Sequence, residues 1–173
     1  GDDAYRSVQY ATGAGPHFAI GVLQDDAGDD RYLVQRRQCL GHARDYSIGW
    51  FEEGGGNDYY NAPGSTLGDG NICSLGFFWE KGGDDVYVHQ GGGLGSVHPE
   101  HKGRLADFDI CLGLFVDEGG KDRYLIFPFG PRGSREGYIF MGEPDTLEVD
   151  PVAGNNKAWL REHRRLQLTS FGI

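Results

Sequence analysis

A module of fixed internal spacing repeats four times along this chain, and that repetition limits what the chain can fold into. A glycine opens a short apolar run and a tyrosine follows eleven residues later: Gly21 to Tyr32, Gly49 to Tyr60, Gly76 to Tyr87 and Gly113 to Tyr124. Four residues after each opening glycine comes an acid, namely Asp25, Glu53, Glu80 or Asp117. A second glycine follows at Gly28, Gly56, Gly83 or Gly120, then an aspartate at Asp30, Asp58, Asp85 or Asp122. Gly1-Asp2-Asp3-Ala4-Tyr5 is a half-copy, and Gly137 to Leu147 is a degenerate copy one residue short. Units of 20–50 residues that cannot bury an apolar face alone must stack on one another, so the pattern specifies a solenoid.

The tyrosines advance by 27, 28, 27 and 37 residues, a rung length suited to a parallel β-helix or related β-solenoid. Runs such as Ser47-Ile48-Gly49-Trp50-Phe51 and Ser74-Leu75-Gly76-Phe77-Phe78 are short, rich in aromatic and β-branched residues, and bounded by turn formers. A second short strand leaves each turn, as in Val86-Tyr87-Val88-His89, and the rest of each rung reads as variable loop. Stacking at about 4.8 Å turns equivalent positions into columns. The expected core is then Leu23, Phe51, Phe78 and Phe115 beside Tyr5, Tyr32, Tyr60, Tyr87 and Tyr124. Apolar residues on both sides of each strand imply that both sheet faces are covered. The expected fold is all-β, of about five to six rungs over residues 1–147. Residues 148–173 form a cap or docking tail, with a short helix near Lys157 to Leu168 capped by Asn155-Asn156.

The 173 residues amount to one domain with room for a sizeable core. The chain opens inside a repeat and its sole methionine is Met141, so a longer parent chain is expected. No apolar run reaches the roughly 18 residues of a membrane helix. A net charge of −10 argues against nucleic acid as the main partner, because phosphate binding needs basic clusters. Fifteen of the 26 acids lie in the turns, so any cation chemistry belongs there. Three cysteines, Cys39, Cys73 and Cys111, lack metal-site spacing and read as small apolar packing, with Cys73 and Cys111 close on neighbouring rungs.

In a stacked coil Asp30, Asp58, Asp85 and Asp122 form a column of like charges that something must offset. Two solutions are open. Each aspartate accepts backbone N–H bonds from its own turn, or calcium bridges carboxylates and carbonyls of successive rungs. Gly54-Gly55-Gly56-Asn57-Asp58-Tyr59-Tyr60 and Gly82-Gly83-Asp84-Asp85-Val86-Tyr87 carry a local likeness. The turn resembles that of the RTX family of secreted calcium-binding β-rolls, whose repeat reads Gly-Gly-x-Gly-x-Asp-x-apolar-x. The resemblance implies calcium in the turns and an extracellular or periplasmic location.

The fourth rung carries about ten extra residues, including His98, Glu100 and His101, which offer weak metal-ligand chemistry. Arg36, Arg37, His42 and Arg44 form a basic cluster suited to salt bridges across rungs or to an acidic partner. No nucleophile motif, phosphate loop or dinucleotide fingerprint is present. Acids that recur once per rung argue against a single catalytic geometry. The expected function is therefore a non-catalytic structural or protein-interaction module, calcium-stiffened and part of a larger assembly. Partners or further copies would dock on an apolar sheet face or the basic tail. The competing reading is a carbohydrate-active β-helix enzyme using Glu100 with Asp107 or Asp109.

Overall fold

Every strand pairing in the described chain is parallel and in register, which follows from the repeated spacing. The computed structural model describes residues 1–90, 94–98, 110–127, 140–141 and 146–149. One turn of the coil consists of β1 (Ala4–Ser7), β2 (Gly15–Pro16) and β3 (Ile20–Asp25). The next consists of β4 (Arg31–Val34), β5 (Ala43–Arg44) and β6 (Ile48–Glu53). A third follows in β7 (Tyr59–Pro63), β8 (Gly70–Asn71) and β9 (Leu75–Glu80). Then come β10 (Val86–Gln90), β11 (Val97–His98), β12 (Leu112–Asp117), β13 (Arg123–Phe127), β14 (Phe140–Met141) and β15 (Thr146–Val149). These stack into three sheets, in the orders β1-β4-β7-β10-β13-β15, β2-β5-β8-β11 and β3-β6-β9-β12-β14. Against the five to six rungs expected, three turns are described without interruption and the longest sheet has six strands.

The columns expected from sequence form the core. Tyr32, Tyr60, Tyr87 and Tyr124 pair ring on ring at 4.7–5.0 Å with interplanar angles of 6–8°. Phe51, Phe78 and Phe115 stack alongside at 4.8 and 5.0 Å. The two columns meet edge to face, as Tyr60 does with Phe78 at 5.2 Å. Each such aromatic pair contributes about 0.5–1.5 kcal/mol beyond its buried area.

The opening glycine is explained by a close approach. A Cβ on Gly49 would lie 2.3 Å from the His42 carbonyl oxygen, and one on Gly76 would lie 2.4 Å from that of Asp69. The two shorter sheets converge so tightly here that only a hydrogen fits. Along β6, β9 and β12 the inward positions are glycine, phenylalanine and acid, while Ile48, Trp50, Leu75 and Phe77 face outward and are half-buried. Of the both-faces-covered expectation, the inward half is complete and the outward half is partial.

The third side of the coil replaces what the sequence reads as loop. Its two-residue strands are bent in at both ends by non-glycine residues in the left-handed region, among them Leu40, Asp45, Tyr46 and Leu67, at φ 53–58°. Such conformations cost free energy for L-residues. Hydrogen bonds between neighbouring turns repeat at these corners and offset the cost, as when Gly68 N–H donates to the Leu40 carbonyl at 2.9 Å. Ser47 and Ser74 tie the same corner together. The Ser74 hydroxyl donates to the Ala43 carbonyl of the preceding turn at 2.9 Å and accepts from Asn71 N–H at 2.8 Å. The register places Leu147 opposite Tyr124, so the degenerate copy continues the tyrosine column in backbone position. The tail helix expected near Lys157 to Leu168 lies outside the described residues.

Phe78→Ala should lower unfolding free energy by about 3–5 kcal/mol. Gly76→Ala should cost at least as much, although it adds only one methyl group. Urea denaturation followed by circular dichroism measures both. A Gly76→Ala protein as stable as wild type would contradict the close approach described above.

Candidate functional site

The acidic turns join the end of β3, β6, β9 or β12 to the start of the next strand, and they place three columns of oxygen acceptors side by side. In the first column each aspartate accepts the backbone N–H of its counterpart one turn earlier. Asp30 Oδ1 accepts from Asp3 at 2.5 Å, Asp58 from Asp30 at 2.6 Å, Asp85 from Asp58 at 2.7 Å and Asp122 from Asp85 at 3.0 Å. The column one residue earlier runs the opposite way. Asp29 accepts from Asn57 N–H at 2.8 Å, Asn57 from Asp84 N–H at 2.9 Å, and Asp84 from Lys121 N–H at 2.9 Å. The expectation of own-turn N–H donors is corrected for Asp30, Asp58, Asp85 and Asp122, whose donors belong to the adjacent turn. Parallel in-register stacking brings that N–H to 2.5–3.0 Å from the carboxylate oxygen.

Own-turn amides are taken instead by the third column, the acid four residues after the opening glycine. Glu53 Oε1 accepts Gly54 N–H at 3.0 Å and Glu80 Oε1 accepts Gly82 N–H at 3.1 Å. The other oxygen of each receives a phenol across the interior. Tyr5 donates to Asp25 at 2.5 Å, Tyr32 donates to Glu53, and Tyr60 donates to Glu80 at 2.5 Å. In each case tyrosine and acid belong to the same turn. The fourth turn departs from this rule: Asp117 receives its phenol from Tyr124 of the next turn, and the buried Tyr87 hydroxyl has no hydrogen-bond partner.

These carboxyls are out of water. Glu53, Glu80 and Asp85 are fully buried, and Asp30, Asp58, Asp117 and Asp122 are nearly so. Burial disfavours the charged form, and neighbouring acids add to the effect. Desolvation pushes the Glu80 carboxyl up to about 9, with the Asp85 charge assisting, and pushes Glu53 up to about 7. Burial likewise raises Asp85 to about 8 and Asp58 to about 6. The phenols of Tyr60 and Tyr87 are driven well above their ordinary range by the same burial.

A polar column that sequence reasoning missed lines the third corner. Ala14, His42, Asp69 and Ser96 are all buried there, one per turn. Ser96 Oγ donates to Asp69 Oδ1 at 3.0 Å, and His42 Nδ1 lies 3.6 Å from Asp69 Oδ2. The available signal was a glycine before each, at Gly13, Gly41, Gly68 and Gly95. His42 is thus interior and leaves the basic surface cluster expected with Arg36, Arg37 and Arg44. Arg44 pairs within its own turn, with Asp45 at 3.4 Å. Cys73 and Cys111 do come together, with Cys73 N–H 2.9 Å from Cys111 Sγ, and Cys39 is buried. Glu100, His101, Asp107 and Asp109 lie outside the described residues, as does the side chain of His98.

Two groups of acids bring their oxygens within 4.8 Å of one another: Asp3 with Asp25 and Asp30, and Asp85 with Asp117 and Asp122. Of the four aspartates expected as metal ligands, Asp30, Asp85 and Asp122 fall in these groups, and Asp58 does not. Comparison with protein-family models, curated proteins and solved structures finds no match to this chain.

The raised carboxyl values carry a sign. Glu53 and Glu80 keep protons in the folded state that an unfolded glutamate loses near pH 4.3. Their contribution is therefore complete below that pH and is lost as pH climbs through about 7 and about 9. In chelator-treated protein the melting temperature should fall between pH 5 and pH 9, by on the order of 5–10 °C. Glu80→Gln, neutral at every pH, should flatten that decline in a thermal scan. A melt that rises towards pH 9 would contradict the buried, proton-holding column.

Proposed function

We propose that this chain is a non-catalytic β-solenoid that serves as a rigid structural element and docks another protein surface through one sheet. The observation that carries this reading is the use of the acids. Turn after turn, their oxygens bind backbone amides of neighbouring rungs and phenols across the interior, which is the work of holding a coil together. Catalytic carboxylates need one distinct geometry open to substrate, and these are repeated and dry.

The docking face in this reading is the outward side of β3, β6, β9 and β12. Ile20, Ile48, Leu75 and Leu112 form one apolar column there, and Val22, Trp50, Phe77 and Leu114 form another. Trp50 and Phe77 touch at 5.2 Å, and Trp79 closes on Trp50 from the same face. Phe18 and Tyr46 stack at 5.5 Å on the adjoining corner and are largely exposed. A contiguous apolar surface of this kind is what interaction sites present. No helix among the described residues is long and apolar enough to cross a membrane. The likeness of the turns to RTX repeats adds two further parts to the proposal: calcium between rungs, and an extracellular or periplasmic setting where that ion is abundant.

Light scattering across a concentration series tests the docking face. The wild type should gain mass with concentration, and a Trp50→Ser/Phe77→Ser double variant with an unchanged β-sheet spectrum should remain a single chain. Wild-type protein that stays a single chain at every concentration would overturn self-association through this sheet.

A further inference from the structure

We propose that the fourth turn holds one hard divalent cation, of the size of Ca²⁺, between Asp85, Asp117 and Asp122 beside the Tyr87 hydroxyl. This rests on the reading of calcium in the turns and narrows it from a column of equivalent aspartates to one distinct place.

The argument begins with a broken rule. In three successive turns the tyrosine gives its phenol proton to the acid of its own turn. By that rule Tyr87 would pair with Asp117, whose Oδ2 instead accepts from Tyr124 of the next turn. The Tyr87 ring stacks 4.7 Å from that of Tyr124, whose phenol bonds Asp117, so the Tyr87 hydroxyl lies on the same side of the interior. It is fully buried and has no hydrogen-bond partner, and Asp85 Oδ2 is in the same position. Unpaired buried polar atoms are costly, on the order of 1–3 kcal/mol each. Two of them beside two more buried carboxyls are the kind of arrangement that a bound ion explains.

The choice of acid separates this turn from its neighbours. Among the described residues, oxygens gather within 4.8 Å only where the pairing acid is aspartate, as with Asp25 and Asp117. Glu53 and Glu80 carry one more methylene group, reach further to their phenols, and join no such group among the described residues. Of the two aspartate turns, the first is open to water, since Asp3 is exposed and Tyr5 is already paired with Asp25. The fourth is buried throughout, with Asp85, Asp117 and Asp122 no more than 5% exposed.

Chemistry then selects the ligand. The donors are all oxygen, which suits a hard cation. Ca²⁺ binds oxygen at about 2.3–2.6 Å and so bridges atoms up to about 5 Å apart, whereas Mg²⁺ at about 2.0–2.1 Å bridges only about 4.2 Å.

The test uses the full chain, stripped with chelator at pH 8, with CaCl₂ and Tb³⁺ as probes. Tyrosine-sensitised Tb³⁺ emission should appear, saturate at one ion per chain, and be displaced by Ca²⁺. Calcium at a hundredfold excess over Kd should raise the melting temperature by on the order of 5–10 °C. Asp117→Glu gives the fourth turn the acid that Glu53 and Glu80 supply elsewhere, so it should fold while binding the ion at least tenfold more weakly. Tyr87→Phe should weaken binding severalfold, and Asp58→Asn, which keeps the N–H acceptor, should leave it unchanged. Absence of both Tb³⁺ emission and a calcium-dependent melt overturns the proposal. Binding that survives Asp117→Glu and is lost in Asp58→Asn also overturns it, and returns calcium to the aspartate column as a whole. Neither result bears on docking through the outer sheet, which light scattering decides separately.

Discussion

In-register stacking of parallel turns, repeated every 4.7–5.0 Å, is the constraint on which the rest of this structure depends. It places like upon like. For Tyr32, Tyr60 and Tyr87, or Phe51 and Phe78, that is favourable, since flat rings pile without leaving voids. For carboxylates it is unfavourable, because equal charges meet in a medium that screens them poorly. The turn resolves the conflict by giving every acid column a different set of donors. One aspartate column accepts amides from the turn before and its neighbour accepts amides from the turn after, so the two ladders brace each other in opposite directions. Asn57 shows what the second ladder requires. It stands among aspartates and accepts Asp84 N–H just as they do, so the position needs an oxygen and not a charge.

The phenol and carboxyl pairs add a radial tie to these axial ladders. Tyr60 leaves the sheet of β7 and meets Glu80 at the end of β9, so each pair closes the acute corner between the two long sheets. Burial at that corner raises the acid's affinity for protons, and the phenol bond, which favours the carboxylate, only partly offsets it. A coil built this way binds more protons as it lengthens, because each turn adds further buried acids, Glu53 with Asp58 and then Glu80 with Asp85. Its stability is coupled to pH through the core instead of through surface charge, and salt should screen it weakly.

Much of this was legible in the sequence, for a definite reason. The interval from opening glycine to tyrosine is invariant, and β-strands have a side-chain period of two, so the letters two and eleven places on could be assigned to inward columns without a structure. The glycine itself was legible as a marker but not as a close approach to His42 or Asp69, because that contact depends on how sharply two sheets converge. The third sheet was hidden for a related reason. Its strands are two residues long, and its corners place Tyr46, Leu40 and Leu67 at positive φ, a conformation their side chains disfavour and only repeated stacking sustains. Donors to Asp58 were misplaced because sequence proximity favours the residue's own turn, whereas the nearest amide in space lies a full turn away.

Where every turn repeats a motif, information about function lies in the departures from it. Two departures are buried in this chain. Ser96, Asp69 and His42 contain the residue types of a hydrolytic triad, yet their order in space rules that chemistry out. Asp69 stands between the other two, Ser96 donates to the carboxylate instead of to the imidazole, and all three are sealed from solvent. A nucleophile needs its base in contact and a substrate within reach, so this line of polar groups fixes the corner and nothing more. The departure at Tyr87 is of another kind. There Asp117 stands where the two preceding turns carry glutamate, and Asp85, Asp117 and Asp122 bring oxygens within 4.8 Å of one another. At the first, Ser96 ties Asp69 into the corner by a hydrogen bond and His42 approaches the same carboxylate at 3.6 Å. At the second, the Tyr87 hydroxyl and Asp85 Oδ2 are buried without a hydrogen-bond partner, and there the proposed cation would supply the missing contact.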